Sequence, residues 1–119
     1  MDKVFERFET EMRRGVMQLA AICLLDKEQY GYEIIKSLND TGLKVEEGTL
    51  YPLLRRLEGD KLLSSRWETS GPRPRKYYII TEYGKEIRLK WLSSFMTISK
   101  TIEQLEKNIQ DKGELHNAK

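Results

Sequence analysis

The sequence predicts a mainly α-helical fold that includes one small β-hairpin. Apolar residues recur at helical spacing in three segments of the first half of the chain. Two short segments rich in aromatic and β-branched residues then flank a turn-forming stretch, which is typical of a β-hairpin. In the last third, apolar residues recur at alternating steps of four and three, as in a long helix that pairs with another helix.

Three helices are predicted before the hairpin. The first begins near Phe5 and contains the apolar run of residues 16–25, and the second covers residues 33–38 and stops before Gly42. Proline is comfortable only in a first helical turn, so the third helix, at residues 47–60, either begins near Thr49 or bends at Pro52. Its apolar stripe has the spacing i, i+3, i+4, i+7 and consists of Leu50, Leu53, Leu54 and Leu57.

The hairpin is predicted at residues 62–69 and 75–80, with a turn at residues 70–74. Thr81 is placed to cap the helix that follows. At 1.5 Å per residue that helix is roughly 40 Å long, which is more than a domain of this size needs for its own core. We therefore expect its apolar stripe to form the interface of a homodimer through Trp91, Phe95, Ile98, Ile102, Leu105 and Ile109.

The predicted order of elements is that of a winged helix-turn-helix domain followed by a long C-terminal dimerisation helix. In such domains the third helix enters the major groove of DNA. We assign residues 1–81 to the DNA-binding domain, residues 82–110 to the dimerisation helix and residues 111–119 to a disordered tail. This organisation predicts a protein that binds double-stranded DNA as a dimer.

The distribution of charge supports DNA binding, although the net charge of +2 by itself does not. On the third helix, Thr49, Tyr51 and Arg55 fall outside the apolar stripe and offer hydroxyls and a guanidinium suited to phosphates and base edges. No acidic residue occurs between residues 70 and 81, and the hairpin carries the cations Arg66, Arg73, Arg75 and Lys76. Ordinary solvated charges are one alternative, and a winged-helix module that binds another protein is the other.

Enzyme chemistry finds no support in the sequence, and we expect no catalytic residues, cofactor or metal ion. The only histidine is His116 in the predicted tail, and no glycine-rich phosphate loop is present. The N-terminus lacks the features of a signal peptide, and no apolar run approaches the roughly 18 residues of a membrane span, so a cytoplasmic location is expected. Cys23 is expected to be a small, buried apolar residue in a reducing compartment.

Several ordered motifs carry a resemblance to a known family. These are YGYEI at residues 30–34, GTLYPLLRRLE at 48–58, PRKYY at 74–78 and TEYG at 81–84. Together they resemble the PadR family of bacterial transcriptional regulators over residues 14–105, and the single C-terminal helix is similar to that of its smaller subfamily. The resemblance implies a homodimeric repressor of its own operon or of genes for detoxification and efflux.

The resemblance also implies roles for individual residues. Tyr32 and Lys36 would lie near the phosphate backbone, residues 49, 51 and 55 would enter the major groove, and Arg73, Arg75 and Lys76 would lie on the wing. Some relatives bind a flat aromatic compound between the two long helices, and the matching positions here are Trp91 and Phe95. Packing within the dimer interface is the alternative role for these two aromatic residues.

Overall fold

A computed structural model describes the backbone of residues 2–116 and the side chains of residues 2–113. The elements in chain order are α1 (Lys3–Leu24), β1 (Gln29–Tyr30), α2 (Gly31–Asp40), α3 (Glu47–Gly59), β2 (Leu63–Glu68), β3 (Arg75–Ile80) and α4 (Glu82–His116). The predicted mainly helical fold with a winged helix-turn-helix and a long C-terminal helix is therefore confirmed. Residues up to Arg88 form one compact unit, and residues from Leu89 onward form a second.

The core of the first unit is built from the apolar stripes of its helices. Each helix turns one stripe inward because residues three and four apart lie on the same face. On α3 the stripe is the one that the sequence predicts, and Leu50 and Leu54 have no exposed surface. The stripes of the other two helices are Met17, Leu19, Ala21 and Ile22 on α1 and Ile34, Ile35 and Leu38 on α2. Because the stripe of α3 is buried against the core, the opposite face of this helix points to solvent.

The sheet has three antiparallel strands in the order β1-β3-β2, whereas the sequence predicts only the hairpin of β2 and β3. The register of the hairpin runs from Leu63 opposite Ile80 to Glu68 opposite Arg75. The additional strand is β1, in which Tyr30 pairs with Tyr77. Two residues are too few to display the alternation that predicts a strand, so β1 can be recognised only from its pairing.

Helix α3 begins two residues before Thr49, where one of the two sequence-based alternatives places its start. The carbonyl of Glu46 accepts a hydrogen bond from the N–H of Leu50 at 2.9 Å, and the helix starts at Glu47. A start near Thr49 is therefore wrong, and Pro52 lies inside the helix. Proline has no N–H to donate to the carbonyl four residues back, which belongs to Gly48.

The first two turns of α4 belong to the first unit. The N–H of Gly84 donates to Oγ1 of Thr81 at 2.8 Å, so the predicted cap is present. A Cβ atom on Gly84 would lie 2.2 Å from the carbonyl oxygen of Leu62, so only glycine permits this close packing. Arg88 donates to the carbonyl of Ile22 at 3.1 Å and to Asp26 at 2.6 Å, and this bond holds the pKa of the Asp26 carboxyl below its usual value.

The second unit is the remainder of α4. The sequence places a domain boundary after residue 81 and a disordered tail from residue 111, whereas the compact units divide after Arg88 and the helix continues through His116. Residues 117–119 of the predicted tail lie outside the described residues. The apolar stripe of this helix is exposed in the single chain, at Phe95, Ile98, Ile102, Leu105 and Ile109.

Helix α1 has two exposed features that the sequence does not predict. Cys23 is exposed rather than buried, because successive residues are about 100° apart around a helix and its buried neighbour Ile22 points to the core. The first half of α1 also carries an exposed apolar stripe, formed by Val4, Phe5, Phe8 and Met12. Among residues 2–116, no helix is both long enough and apolar enough to cross a membrane.

Candidate nucleic-acid interface

The outward face of α3 presents the polar residues that the sequence singles out. Thr49 and Arg55 are exposed, as predicted. Tyr51 is half-buried and not fully exposed, because its ring lies against the start of α2. Arg55 takes part in no ion pair among the described residues, so its guanidinium is available for a partner.

A glycine at the start of α2 makes room for the Tyr51 ring. A Cβ atom on Gly31 would lie 2.5 Å from Cε1 and 2.8 Å from Oη of Tyr51. Any side chain at this position would therefore push the ring of Tyr51 off α2. This contact gives a physical reason for glycine in the YGYEI motif, which sequence reasoning used only as a marker of resemblance.

The Tyr51 hydroxyl remains protonated at neutral pH. Partial burial raises the pKa of Tyr51 above its ordinary value of 10.0, and the negative charge of Glu47 and the nearby Tyr78 add to the effect. A protonated hydroxyl can donate one hydrogen bond and accept others. Tyr51 is therefore suited to a phosphate oxygen or to the acceptor edge of a base.

The wing, formed by β2, β3 and their connecting turn, is tied to α3 through Glu58. This carboxylate accepts a hydrogen bond from the Ser65 hydroxyl and pairs with Nζ of Lys76 at 3.1 Å. Both partners lower the pKa of Glu58, the Ser65 bond most. Burial lowers the pKa of Lys76, but the bond to Glu58 and the nearby Tyr78 outweigh it, so that this pKa stands above its ordinary value.

The four cations of the predicted basic patch are held in different ways. Arg66 is bound by Glu28 and Glu68, and these bonds raise its pKa further. Lys76 is bound by Glu58. Arg73 and Arg75 are exposed and take part in no ion pair among the described residues. The positive charge that the wing offers to an outside partner is therefore concentrated on these two arginines.

Arg75 is held by an aromatic ring instead of an acid. Its guanidinium carbon lies 4.5 Å from the centre of the Tyr30 ring, and Tyr30 in turn lies 5.4 Å from the ring of Tyr77. A cation over an aromatic face keeps its charge and its hydrogen-bond donors. The arrangement thus orients Arg75 without neutralising it.

A cleft of about 680 Å³ lies between the wing and helices α2 and α3. Its walls include six of the eight residues that the sequence proposes for DNA binding: Tyr32, Tyr51, Arg55, Arg73, Arg75 and Lys76. Thr49 lies elsewhere, in a smaller depression between α1 and α3 that also includes Arg13 and Arg14. Lys36 is outside the cleft, and its ammonium pairs with Asp40 at 3.1 Å on the exposed side of α2.

Sequence reasoning missed two aromatic residues of this cleft. Tyr30 and Trp67 both line it, and Trp67 is 61% exposed. Tyr30 is absent from the proposed set because its position over Arg75 depends on the unpredicted strand β1. Trp67 could have been found from the sequence. Strand alternation places it on the same face of β2 as Leu63, which the core buries, so its side chain is directed to the helix side of the wing.

The residues proposed for the dimer interface and for an aromatic ligand lie on the second unit. Trp91 is half-buried and Phe95 is 39% exposed. Neither residue lines the cleft of the first unit. Among the described residues, no group of three or more His, Cys, Asp or Glu side chains is arranged to hold a metal ion.

Comparisons with known proteins identify the family. A model of the transcriptional regulator PadR-like family matches residues 21–89. The fold is similar to that of a PadR family transcriptional regulator from Eggerthella lenta, which is 36% identical with a TM-score of 0.78 over 87% of this chain and 93% of that one. A PadR-like transcription factor from Bacteroides fragilis is 37% identical with a TM-score of 0.71, over 83% of this chain and 98% of that one.

A relative known from its sequence agrees with these structures. The transcriptional regulator Rv3488 of Mycobacterium tuberculosis is 40% identical over 60 residues, which are 50% of this chain and 56% of that protein. Regulators of this kind bind DNA, typically dimerise and are generally not enzymes. The family model covers all of α2, α3 and the wing, which are the elements that form the cleft. This chain therefore belongs to the PadR-like family of transcriptional regulators.

Proposed function

We propose that this protein is a homodimeric repressor that reads two half-sites of a double-stranded operator. The observation that carries the proposal is the cleft, in which the tyrosines and Arg55 of the helices face Arg73 and Arg75 of the wing. A helix in the major groove and a basic wing on the adjacent backbone is the way in which such domains bind DNA. Two copies of α3 would meet half-sites roughly 34 Å apart, which is one turn of DNA.

The residues divide by the kind of contact that we propose for them. Arg55, with Thr49 and Tyr51, contacts base edges in the major groove and supplies sequence preference. Arg73 and Arg75 contact phosphates or the minor groove and supply affinity for any duplex. Lys76, Tyr32 and Lys36 flank this surface and contact the phosphate backbone.

Homodimerisation is supported by apolar surface that a single chain leaves in water. Ile98 and Ile102 on α4 are both 59% exposed, and they belong to a stripe of spacing four and three. The exposed stripe of α1 adds apolar surface that a second copy would cover. Regulators of this family typically dimerise.

Repression follows if the dimer occupies promoter DNA and thereby blocks access to it. We propose its own operon, or genes for detoxification and efflux, as the targets. A flat aromatic effector bound beside Trp91 and Phe95 would release the protein from DNA. Support for this part is the partial exposure of Phe95 and the general ability of Trp and Phe rings to stack on planar ligands.

The proposal is tested by selecting duplexes from the host genome with the purified protein and measuring their affinity at several salt concentrations. We expect enrichment of a sequence with two related half-sites, upstream of the protein's own gene or of efflux genes. Loss of transcription from that promoter in cells that make the protein would support repression. Retention of no duplex at low salt would contradict the proposal.

The dimer interface has its own test. Ile98→Glu together with Ile102→Glu places carboxylates on the stripe, and sedimentation should then show a monomer that binds operator more weakly than wild type. Met96→Glu is the matched control, because Met96 is also exposed, at 56%, but lies on the other side of the helix. A dimer that survives the double substitution would refute this interface.

A further inference from the structure

Trp67 is an exposed aromatic residue in the middle of a charged surface. Tryptophan buries most of its large apolar surface in most proteins, so 61% exposure is unusual. It lies on β2 directly opposite Lys76 of β3, close to the tip of the wing. Tryptophan is enriched at binding interfaces, so an exposed ring at such a position points to contact with a partner.

The register of the hairpin determines the direction in which Trp67 faces. Residues alternate between the two faces of a strand, so Trp67 shares a face with Ser65, and Lys76 lies across from it on that face. Ser65 and Lys76 both bind Glu58 of α3. This face of the wing is therefore the one turned to α3, and Trp67 lines the cleft with Tyr51 and Arg55.

The surroundings of the Trp67 ring select the chemistry of its partner. The cleft is lined by one acidic residue, Glu47, and by four cationic ones, of which Lys76 is paired with Glu58, while Arg55, Arg73 and Arg75 have no acidic partner among the described residues. Such a lining attracts negative charge, while the indole itself gains only from contact with an apolar or flat surface. A DNA strand offers both, because its phosphates alternate with the apolar faces of deoxyribose.

We propose that Trp67 is a further DNA-contacting residue, whose indole packs against a deoxyribose of the strand that Arg73 and Arg75 hold by its phosphates. The inference rests on the proposed function, since it requires the cleft to receive DNA. The contact adds affinity through apolar surface and not through charge. It therefore differs from the arginine contacts in its dependence on salt.

The experiment compares Trp67→Ala and Trp67→Phe with wild type in binding to the selected operator duplex at 50, 100 and 200 mM salt. Trp67→Ala should weaken binding roughly 3- to 10-fold, whereas the plot of log affinity against log salt concentration should keep its slope. Trp67→Phe retains a ring, so its loss of log affinity should be less than half of the loss in Trp67→Ala. Tyr83→Ala is the control, since Tyr83 is 51% exposed but lies outside the cleft.

Fluorescence supplies an independent measurement. The chain has two tryptophans, and duplex binding should protect the exposed one from quenching by acrylamide. Wild type should show this protection, and Trp67→Phe should lose it while still binding the duplex. Thermal unfolding of each variant confirms that it is folded.

Two results would overturn the inference while leaving the proposed function intact. One is unchanged operator affinity in Trp67→Ala, together with no protection of the wild-type tryptophans. The other is a salt slope that falls as much as it does on removal of an arginine, because the ring would then act through the charges around it. Failure of wild type to bind any duplex would instead refute the proposed function itself.

Discussion

Helix α3 and the wing are both rich in cations, but they hold them differently. On α3, Arg55 and Arg56 are exposed and form no ion pair among the described residues. On the wing, Arg66 is bound by two carboxylates and Lys76 by one. The number of cations in a segment therefore overstates the charge that it offers to DNA.

Geometry explains the difference. On α3 the residues outside the buried stripe face solvent, and the acidic residue three positions after Arg55, Glu58, is bound to Ser65 and Lys76 of the wing instead. A strand has neighbours on both sides, and its two faces lie near other elements. Glu28, just before β1, and Glu58 on α3 reach the wing in this way.

The largest effect should follow from Arg55→Ala. If this guanidinium binds a guanine edge, its loss costs about 1–3 kcal/mol at the operator, or roughly 5- to 150-fold in affinity, and little on random duplex. Titration of both duplexes with wild type and variant measures the ratio. An equal loss of affinity for operator and random duplex would place Arg55 on the phosphate backbone instead.

The next largest effect should come from Arg73→Gln combined with Arg75→Gln. If each arginine neutralises one phosphate, the slope of log affinity against log salt should flatten by about 1.8, and wild type should lose about tenfold more affinity than the variant between 50 and 200 mM salt. Operator and random duplex should be affected equally. Arg66→Gln is the matched control, because that arginine is already paired with two carboxylates. An equal change of slope in the control would mean that paired and unpaired arginines offer the same charge to DNA.

A smaller effect is expected for Lys76→Met. Since Glu58 already neutralises this ammonium, the salt slope should flatten by less than half of the roughly 0.9 expected for one full phosphate contact. The free energy of unfolding, measured with denaturant, should fall by up to about 1 kcal/mol, the ordinary range for a partly exposed pair. A full loss of one unit of slope would mean that DNA displaces Glu58 from Lys76.

The smallest effect concerns acid stability. The pKa of Glu58 is lowered below its ordinary value of 4.5, first by the Ser65 hydroxyl and then by Lys76, so folding favours the ionised form. Its contribution to stability is fully present above pH 4.5 and is lost as the pH falls through the lowered pKa. Glu58→Gln should therefore show a shallower loss of unfolding free energy on acidification, by under about 1 kcal/mol. An equal loss of unfolding free energy on acidification in wild type and variant would contradict this role.

Several elements could be predicted from local patterns alone. The stripe of α3, the hairpin and the Thr81 cap all depend on residues within a few positions of one another. The sequence does not fix the start of α3, because Pro52 is compatible either with a start near Thr49 or with an earlier start and a bend at the proline; the bond from the N–H of Leu50 to the carbonyl of Glu46 excludes the later start. The exposure of Cys23 could not be predicted, because an apolar run does not show which flank of a helix meets the core.

Most residues of the candidate interface can be recognised in the sequence, but the contacts that hold their side chains cannot. Arg66 and Arg75 both lie over a tyrosine ring, yet Arg66 also pairs with two carboxylates whereas Arg75 takes part in no ion pair among the described residues. Tyr51 was recognised on α3, but its support by Gly31 was not. Except for Glu68, which shares β2 with Arg66, these partners lie on a different element from the residue that they hold.

Amino-acid order was sufficient for the type and order of the elements, for the family and for most of the proposed DNA-binding residues, since periodicity, capping and turn chemistry act over a few residues. The pairing of each cation, the third strand, and the place of Trp67 in the cleft emerged only once α2, α3 and the wing were packed together. Charge and packing act through space, and the contacts that decide them here join residues such as Glu28 and Arg66, which are far apart in the chain.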